Sequence, residues 1–128
     1  MSYCNLKIVN GSFESIEIKI RDSLLEQGFG IITEIDVKET FKKKLDIDFQ
    51  KYKILGACNP PIAHKLLNAD QLIGLLLPCN VVLWDNDDGT VTVAAIDATK
   101  MLTITERSDF NESANEVNEL LKQALESI

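Results

Sequence analysis

Several residue types are scarce in this chain, and each scarcity excludes a class of protein. Only one of the 128 residues is histidine and only three are cysteine, so the repeated His and Cys ligands of most zinc sites are missing. An odd number of cysteines also argues against a closed disulfide framework. The longest uncharged apolar stretch, residues 72–84, is interrupted by Gly74, Pro78 and Asn80. It is well short of the roughly 20 residues that a membrane-spanning helix needs.

Positive charge is scarce as well. The chain has 13 basic and 20 acidic residues, which gives a formal net charge of −7, and such a chain repels the phosphate backbone of a nucleic acid on average. The one basic run, residues 42–44, is compensated by Glu39, Asp46 and Asp48 and is typical of a solvated helix face. We therefore expect neither a nucleic acid nor a membrane as a partner.

The remaining composition is that of an ordinary folded domain. Apolar residues make up 45% and charged residues 26% of the chain, and the length is enough to bury one core. No linker, repeat or low-complexity segment divides the sequence, so we predict a single domain over residues 1–128. The N-terminus lacks the basic and apolar segments of a secretory signal. Together with three unpaired cysteines, the lack of a secretory-signal pattern predicts a cytoplasmic protein.

Strand and helix patterns alternate along the chain. Apolar alternation and turn residues predict strands at 3–9, 30–35, 52–58, 81–85 and 90–97, the last two forming a hairpin. Residues at capping positions predict helices that begin after Ser12, Asp36, Asn59 and Asn111. In the second helix we expect Val37, Phe41 and Leu45 to face inward. Residues 70–77 read as a short helical turn that becomes extended at Pro78, and residues 98–108 read as irregular.

The resulting element order is β-α-β-α-β-α-β-β-α. A hairpin among helical connections predicts an α+β fold, a two-layer sandwich in which a mixed β-sheet has its helices mainly on one face. The opposite sheet face, with Trp84 and several Ile and Val side chains, is then uncovered. Large apolar patches are uncommon on monomers, so we expect a second copy of the chain to pack there.

Two Cys-Asn pairs mark the region where chemistry should be sought. Cys58 and Asn59 end the third strand, and Cys79 and Asn80 follow Pro78, while the only histidine, His64, lies between the pairs. Each pair stands at a junction between an apolar element and a turn. We therefore expect the two pairs to converge and to line one pocket, with Cys58, Asn59, His64, Cys79 and Asn80 as its candidate ligand-binding residues.

Each of these residues also has a structural interpretation. Free cysteines are often packed as small apolar groups, Asn59 is a favoured helix N-cap before Pro60, and a lone histidine is more often a hydrogen-bonded structural residue than a base. Alternatively, a thiol just before a capped helix lies near unpaired N–H groups, which would favour the thiolate of Cys58. The spacing of Cys58, His64 and Cys79 lacks the paired motifs of metal sites, so no metal is expected.

Four segments carry a resemblance to a known family. Residues 28–30 (GFG) with 33–36 (TEID), residues 52–64 (YKILGACNPPIAH) and residues 73–82 (IGLLLPCNVV) resemble the domain of unknown function 302 family over residues 12–102. The resemblance implies a compact α+β domain that is dimeric and has no settled activity. One departure is Ala98 after Asp97, where the family pattern has proline.

Two functions from different classes fit these residues. The first is a noncatalytic, homodimeric module that binds a small ligand or a partner in a pocket around the two Cys-Asn pairs. The second is a thiol-dependent enzyme or redox sensor in which Cys58 reacts and Cys79 and His64 support it. No motif indicates a particular cofactor.

Overall fold

The computed structural model describes residues 2–128, and capping side chains begin most of its helices. The side chain of Ser12 accepts a hydrogen bond from the N–H of Ser15, that of Asp36 from Glu39, and that of Asp97 from Thr99. These bonds satisfy N–H groups that the first helical turn leaves unpaired. The helices are α1 (Phe13–Glu26), α2 (Val37–Leu45), α3 (Pro60–Ala69), α4 (Ala98–Thr103) and α5 (Asn111–Glu126).

Five strands form one sheet in the order β1-β5-β4-β3-β2. They are β1 (Cys4–Asn10), β2 (Gly30–Asp36), β3 (Tyr52–Cys58), β4 (Cys79–Asp85) and β5 (Thr90–Ile96), and two 3-10 helices, Gln71–Leu76 and Ser108–Phe110, complete the chain. The predicted α+β class and the predicted order of strands and helices are confirmed. Residues 70–77 do form a helical turn that ends before Pro78, as expected.

The sheet is antiparallel at every one of its four pairings, so the expectation of a mixed sheet is wrong. The connection through α1 joins β1 to β2, two strands that run in the same direction, but these strands lie at opposite edges of the sheet and do not pair. The connections through α2 and α3 join neighbouring antiparallel strands. No helical connection therefore produces a parallel pair.

The core lies between one face of the sheet and a layer formed mainly by α1 and α5. Ile16, Ile20 and Leu24 of α1 and Val117 and Leu121 of α5 are buried, and their spacing of four residues places each set on one face of its helix. They belong to the same cluster as the inward side chains of the three central strands, which are Leu55, Ala57, Cys79, Val81, Leu83, Val91, Val93 and Ala95. The two-layer arrangement is thus present.

Three local predictions are wrong. No residue of α2 is buried, and Leu45 is 61% exposed, because α2 packs through Phe41 onto Phe49 at the margin of the sheet and not into the core. Residues 98–108 are not irregular, since they contain α4. Asn111 does not cap α5, because a 3-10 helix runs directly into it and places Phe110 at the cap position.

The second face of the sheet lies opposite the layer of α1 and α5, and we call it the open sheet face, although Thr92 and Ala94 on it are only 4% and 7% exposed. The alternation of side chains along each strand assigns to it the following residues: Cys4, Leu6, Ile8, Thr33, Ile35, Tyr52, Ile54, Asn80, Val82, Trp84, Thr92, Ala94 and Ile96. Leu6, Ile8 and Ile35 are exposed. Within residues 2–128, no helix is both long enough and apolar enough to cross a membrane.

Candidate functional site

A cavity of about 220 Å³ lies where β3 ends and β4 begins, between α3 and α4. We call it the α3–α4 cavity. Its walls come from Phe29 and Ile32 before and within β2, from α3, from the segment that enters β4, and from α4 with one residue of α5. The lining residues are Phe29, Ile32, Ala57, Cys58, Asn59, Ile62, Ala63, Leu66, Leu67, Leu77, Pro78, Cys79, Ala98, Met101, Leu102 and Val117.

One wall follows from the way α3 begins. Asn59 caps the helix, its Oδ1 lying 3.4 Å from the backbone nitrogen of Ile62, and Pro60 and Pro61 occupy the first two helical positions, as the sequence predicted. The helix then buries Ile62 and Leu66, one turn apart, while Ala63 is half-buried. The side of α3 that lines the cavity is therefore apolar, and its side chains range in size from Ala63 to Leu66.

The opposite wall was missed by sequence reasoning. Asp97 caps α4, and the buried Oδ1 of Asn118 accepts hydrogen bonds from the N–H of Ala98 at 3.2 Å and from Nδ2 of Asn5 at 3.0 Å. Asn118 thereby joins the start of α4 to α5 and β1. The signal was present in the sequence: Asp97 is a favoured N-cap, and Ala98, Met101 and Leu102 have helical spacing.

Three of the five candidate residues line this cavity together. Cys58, Asn59 and Cys79 contribute to its wall, which follows from the pairing of Ala57 with Cys79 across β3 and β4. Both cysteines therefore contribute to one cavity, although alternation along β3 puts Cys58 on the opposite face from its neighbour Ala57, the inward residue that pairs with Cys79.

The other two candidate residues lie elsewhere. His64 is exposed on α3, and its Nε2 lies 3.2 Å from Nδ2 of Asn68, one helical turn further on. Asn80 is exposed on the open sheet face, because successive side chains of a strand point to opposite faces. Asn80 does not line the cavity, so the second Cys-Asn pair is divided between the cavity and the open sheet face.

The two thiols differ in their surroundings. Cys79 is 5% exposed, and its burial, with the nearby Cys58 as a smaller cause, raises the pKa of its thiol from 9.0 to about 11. Cys58 is half-buried at the end of β3. No disulfide joins Cys4, Cys58 and Cys79. Cys79 is therefore a protonated, apolar wall residue at neutral pH.

The start of α3 leaves no N–H group for an anion. Pro60 and Pro61 have no backbone N–H, the N–H of Ile62 is used by the Asn59 side chain, and that of Ala63 bonds to the Asn59 carbonyl at 2.9 Å. The unpaired donors that would favour a thiolate at Cys58 are thus missing from the first turn of the helix. Residues 2–128 contain no group of three or more His, Cys, Asp or Glu residues that could hold a metal ion.

Replacing Asn59 by alanine is expected to lower the free energy of unfolding by about 1 kcal/mol, because the N–H of Ile62 loses its partner. Urea unfolding measures this difference. Asn59→Ser, which keeps an oxygen at the capping position, should restore most of it. Equal losses in the two variants would show that the cap does not stabilise this wall.

Comparisons with known proteins agree with this fold. The family model described as "Domain of unknown function DUF302" matches residues 6–128. A solved structure titled "Crystal structure of uncharacterized conserved protein DUF302 from Bacillus stearothermophilus" is 25% identical, with a TM-score of 0.91 over 99% of this chain and 98% of that chain. No curated protein matches. The match extends beyond the segments that first suggested the family and includes α5, and the chain belongs to the DUF302 family.

Proposed function

We propose that the protein is a noncatalytic, homodimeric module that binds a small, neutral, apolar ligand in the α3–α4 cavity. The single observation that carries the ligand proposal is the composition of the cavity wall. Of its sixteen residues, only Cys58, Asn59 and Cys79 bear a polar side-chain atom, and none is acidic or basic. Small-molecule sites are typically concave, mostly apolar and provided with a few polar groups.

The size of the cavity limits the ligand. Its volume of about 220 Å³ exceeds the roughly 150 Å³ of an engineered protein cavity that holds benzene. A single substituted aromatic ring or a short branched hydrocarbon group would fill it. Cys58, Asn59 and Cys79, the lining residues that the proposal counts as polar, would then meet any polar atom that such a ligand carries.

The charge of the ligand is limited by the donors. A carboxylate or phosphate needs N–H groups or cationic side chains when it leaves water, and the first turn of α3 provides no free N–H while the cavity wall includes no Lys or Arg. An anionic ligand would therefore lose its hydration on entering the cavity without gaining hydrogen bonds or an opposite charge. The proposal is specific for neutral molecules.

The test uses bromobenzene as a neutral probe and 4-bromobenzoate as its anionic counterpart. Titration calorimetry of the full chain should detect binding of bromobenzene and not of 4-bromobenzoate. Ala63→Leu adds three carbon atoms to the cavity wall and should weaken bromobenzene binding roughly tenfold or more. Alanine and leucine have similar helix propensities, so α3 should remain intact.

A matched control lies on the same helix. Ala69 is exposed at the end of α3 and does not line the cavity, so Ala69→Leu should bind bromobenzene as the wild-type chain does. Wild-type protein that binds neither probe, or that prefers 4-bromobenzoate, would contradict the proposal. Equal binding by the two leucine variants would place the probe outside the α3–α4 cavity.

The thiol-enzyme hypothesis has no observation that favours it over binding. Burial raises the pKa of the supporting thiol, Cys79, to about 11, and His64 does not line the cavity that holds Cys58. The proposed location is the cytoplasm, whose reducing conditions suit three unpaired cysteines. The homodimeric state is proposed because the open sheet face exposes the apolar side chains of Leu6, Ile8 and Ile35.

A further inference from the structure

We propose that the ligand is a neutral straight-chain molecule longer than the α3–α4 cavity, whose chain leaves the cavity between Ile32 and Leu67 and continues over two exposed leucines of the adjoining 3-10 helix. This inference rests on the proposed function and names the class of molecule that the same site binds. It is carried by two observations, which are the side chains at the mouth of the cavity and the apolar surface that continues from them.

A β-bulge places Ile32 at the mouth of the cavity. Ile31 pairs with Ala57 and Thr33 pairs with Gly56, so Ile32 has no partner in β3. A bulge adds one residue to a strand and can direct its side chain away from the regular alternation. Ile32 lines the cavity and is nevertheless 62% exposed. This large apolar side chain therefore belongs to the cavity wall and to the outer surface at once.

Leu67 of α3 is the second side chain of the mouth. It also lines the cavity and is exposed. A Cβ atom placed on Gly74 would lie 3.7 Å from Cδ2 of Leu67, so the 3-10 helix Gln71–Leu76 packs beside this side chain. Leu77, directly after that helix, lines the cavity as well. The 3-10 helix therefore borders the mouth.

The same 3-10 helix extends the apolar surface away from the mouth. Side chains three residues apart lie on one side of such a helix, so the sequence QLIGLL has three sides. One side places Ile73 in the core, and a second turns Gly74 towards Leu67. The third side holds Leu72 and Leu75, which are 70% and 83% exposed. We call the apolar surface formed by these two leucines together with Ile32 and Leu67 the mouth strip.

Size and charge favour a hydrocarbon chain as the occupant of the mouth strip. By proportion with the roughly 150 Å³ cavity that holds benzene, the volume of about 220 Å³ accommodates about nine carbon atoms. A longer chain must continue through the mouth, where it would cover apolar side chains and remove their surface from water. Residues 71–84 include no charged side chain, so the 3-10 helix offers nothing to an ionic group.

The test measures the affinity of the full chain for straight-chain 1-alkanols from hexanol to dodecanol by titration calorimetry, with each alcohol below its solubility limit. A methylene group that is fully removed from water strengthens binding about fourfold. We expect the affinity to rise by at least about twofold per methylene through dodecanol, beyond the roughly nine carbon atoms that the cavity holds. An affinity that stops rising near nonanol would overturn the inference.

A double variant tests the outer part of the mouth strip. Leu72 and Leu75 do not line the cavity, so Leu72→Ser with Leu75→Ser should bind hexanol as the wild-type chain does and dodecanol at least fivefold more weakly. Ile18→Ser with Leu25→Ser is the matched control, because these α1 side chains are similarly exposed and lie outside the cavity wall. Equal weakening of dodecanol binding in both double variants would contradict the inference.

The short probes separate this inference from the proposed function. Wild-type protein that binds bromobenzene and hexanol, but gains no affinity beyond nonanol, would retain the neutral ligand and reject the long chain. Protein that binds neither bromobenzene nor any alcohol would contradict both. Binding to phosphatidylcholine vesicles that depends on Leu72 and Leu75, with an alcohol series that ends near nonanol, would assign these leucines to a lipid surface and overturn the inference.

Discussion

Replacing Gly56 by alanine is expected to lower the free energy of unfolding by about 3 kcal/mol, the upper part of the usual range for an overpacked site. A Cβ atom at this position would lie 2.0 Å from Oγ1 of Thr33 in the neighbouring strand β2 and 2.8 Å from Cγ of Pro78. Pro78 lines the α3–α4 cavity, whereas Thr33 lies on the open sheet face. The strand cannot relieve the contact by a side-chain rotation alone, because the proline ring is fixed to the backbone.

Urea unfolding of Gly56→Ala measures this effect, and Gly30→Ala is its control. Gly30 begins the adjacent strand β2, and an added Cβ there meets no atom within 4 Å, so we expect a change within about 0.5 kcal/mol. The double variant Thr33→Ala with Gly56→Ala lacks the Oγ1 atom that the new Cβ would meet. It should therefore be more stable than Gly56→Ala alone. Equal stability of the two single glycine variants would show that the chain does not need glycine at position 56, where β2 and Pro78 come close to β3.

Raising the pH from 9 to 11 is expected to reduce the free energy of unfolding by about 2 kcal/mol through Cys79 alone. Burial raises the pKa of this thiol from 9.0 to about 11 in the folded protein. Its stabilising contribution is therefore complete below pH 9. Above pH 9 the unfolded chain releases the proton while the folded chain keeps it, so alkali progressively favours unfolding until the pH passes the folded-state pKa.

Urea unfolding of the wild-type chain and of Cys79→Ala, at neutral pH and between pH 9 and 11, isolates this contribution. The variant should lose on the order of 1 kcal/mol at neutral pH through its smaller side chain and should be less sensitive to alkali. Some sensitivity should remain, because burial also raises the pKa of Tyr52 above 10.0. Parallel pH profiles for the two proteins would contradict a buried, protonated Cys79.

Local patterns predicted most of the fold. The capping oxygens of Ser12 and Asp36 and the prolines after Asn59 are signals within a few residues of the helix that they begin, and the structure uses all of them. The direction of strand pairing depends instead on which strands become neighbours. Nothing near β1 or β2 indicates that these parallel strands lie at opposite edges of the sheet.

The candidate site was predictable to the extent that it depends on neighbouring strands. The convergence of Cys58 and Cys79 follows from a β3–β4 pairing that the chain makes within one connection. Strand alternation places Asn80 on the face opposite Cys79 and so outside the cavity. Predicting this from the sequence requires knowing which side of the sheet holds α3. Helix α4 itself had a local signal in the Asp97 cap, but its attachment to α5 depends on the long-range hydrogen bond that the N–H of Ala98 donates to Oδ1 of Asn118, which no short segment of the sequence indicates.

The most direct test of the central claim is a crystal structure of the protein soaked with bromobenzene, with anomalous diffraction used to locate bromine. We predict an anomalous peak inside the α3–α4 cavity, in van der Waals contact with Ile62, Leu66 or Cys79, and the same crystals soaked with 4-bromobenzoate should show none there. An empty cavity after the bromobenzene soak, or bromine bound only elsewhere on the protein, would contradict the account.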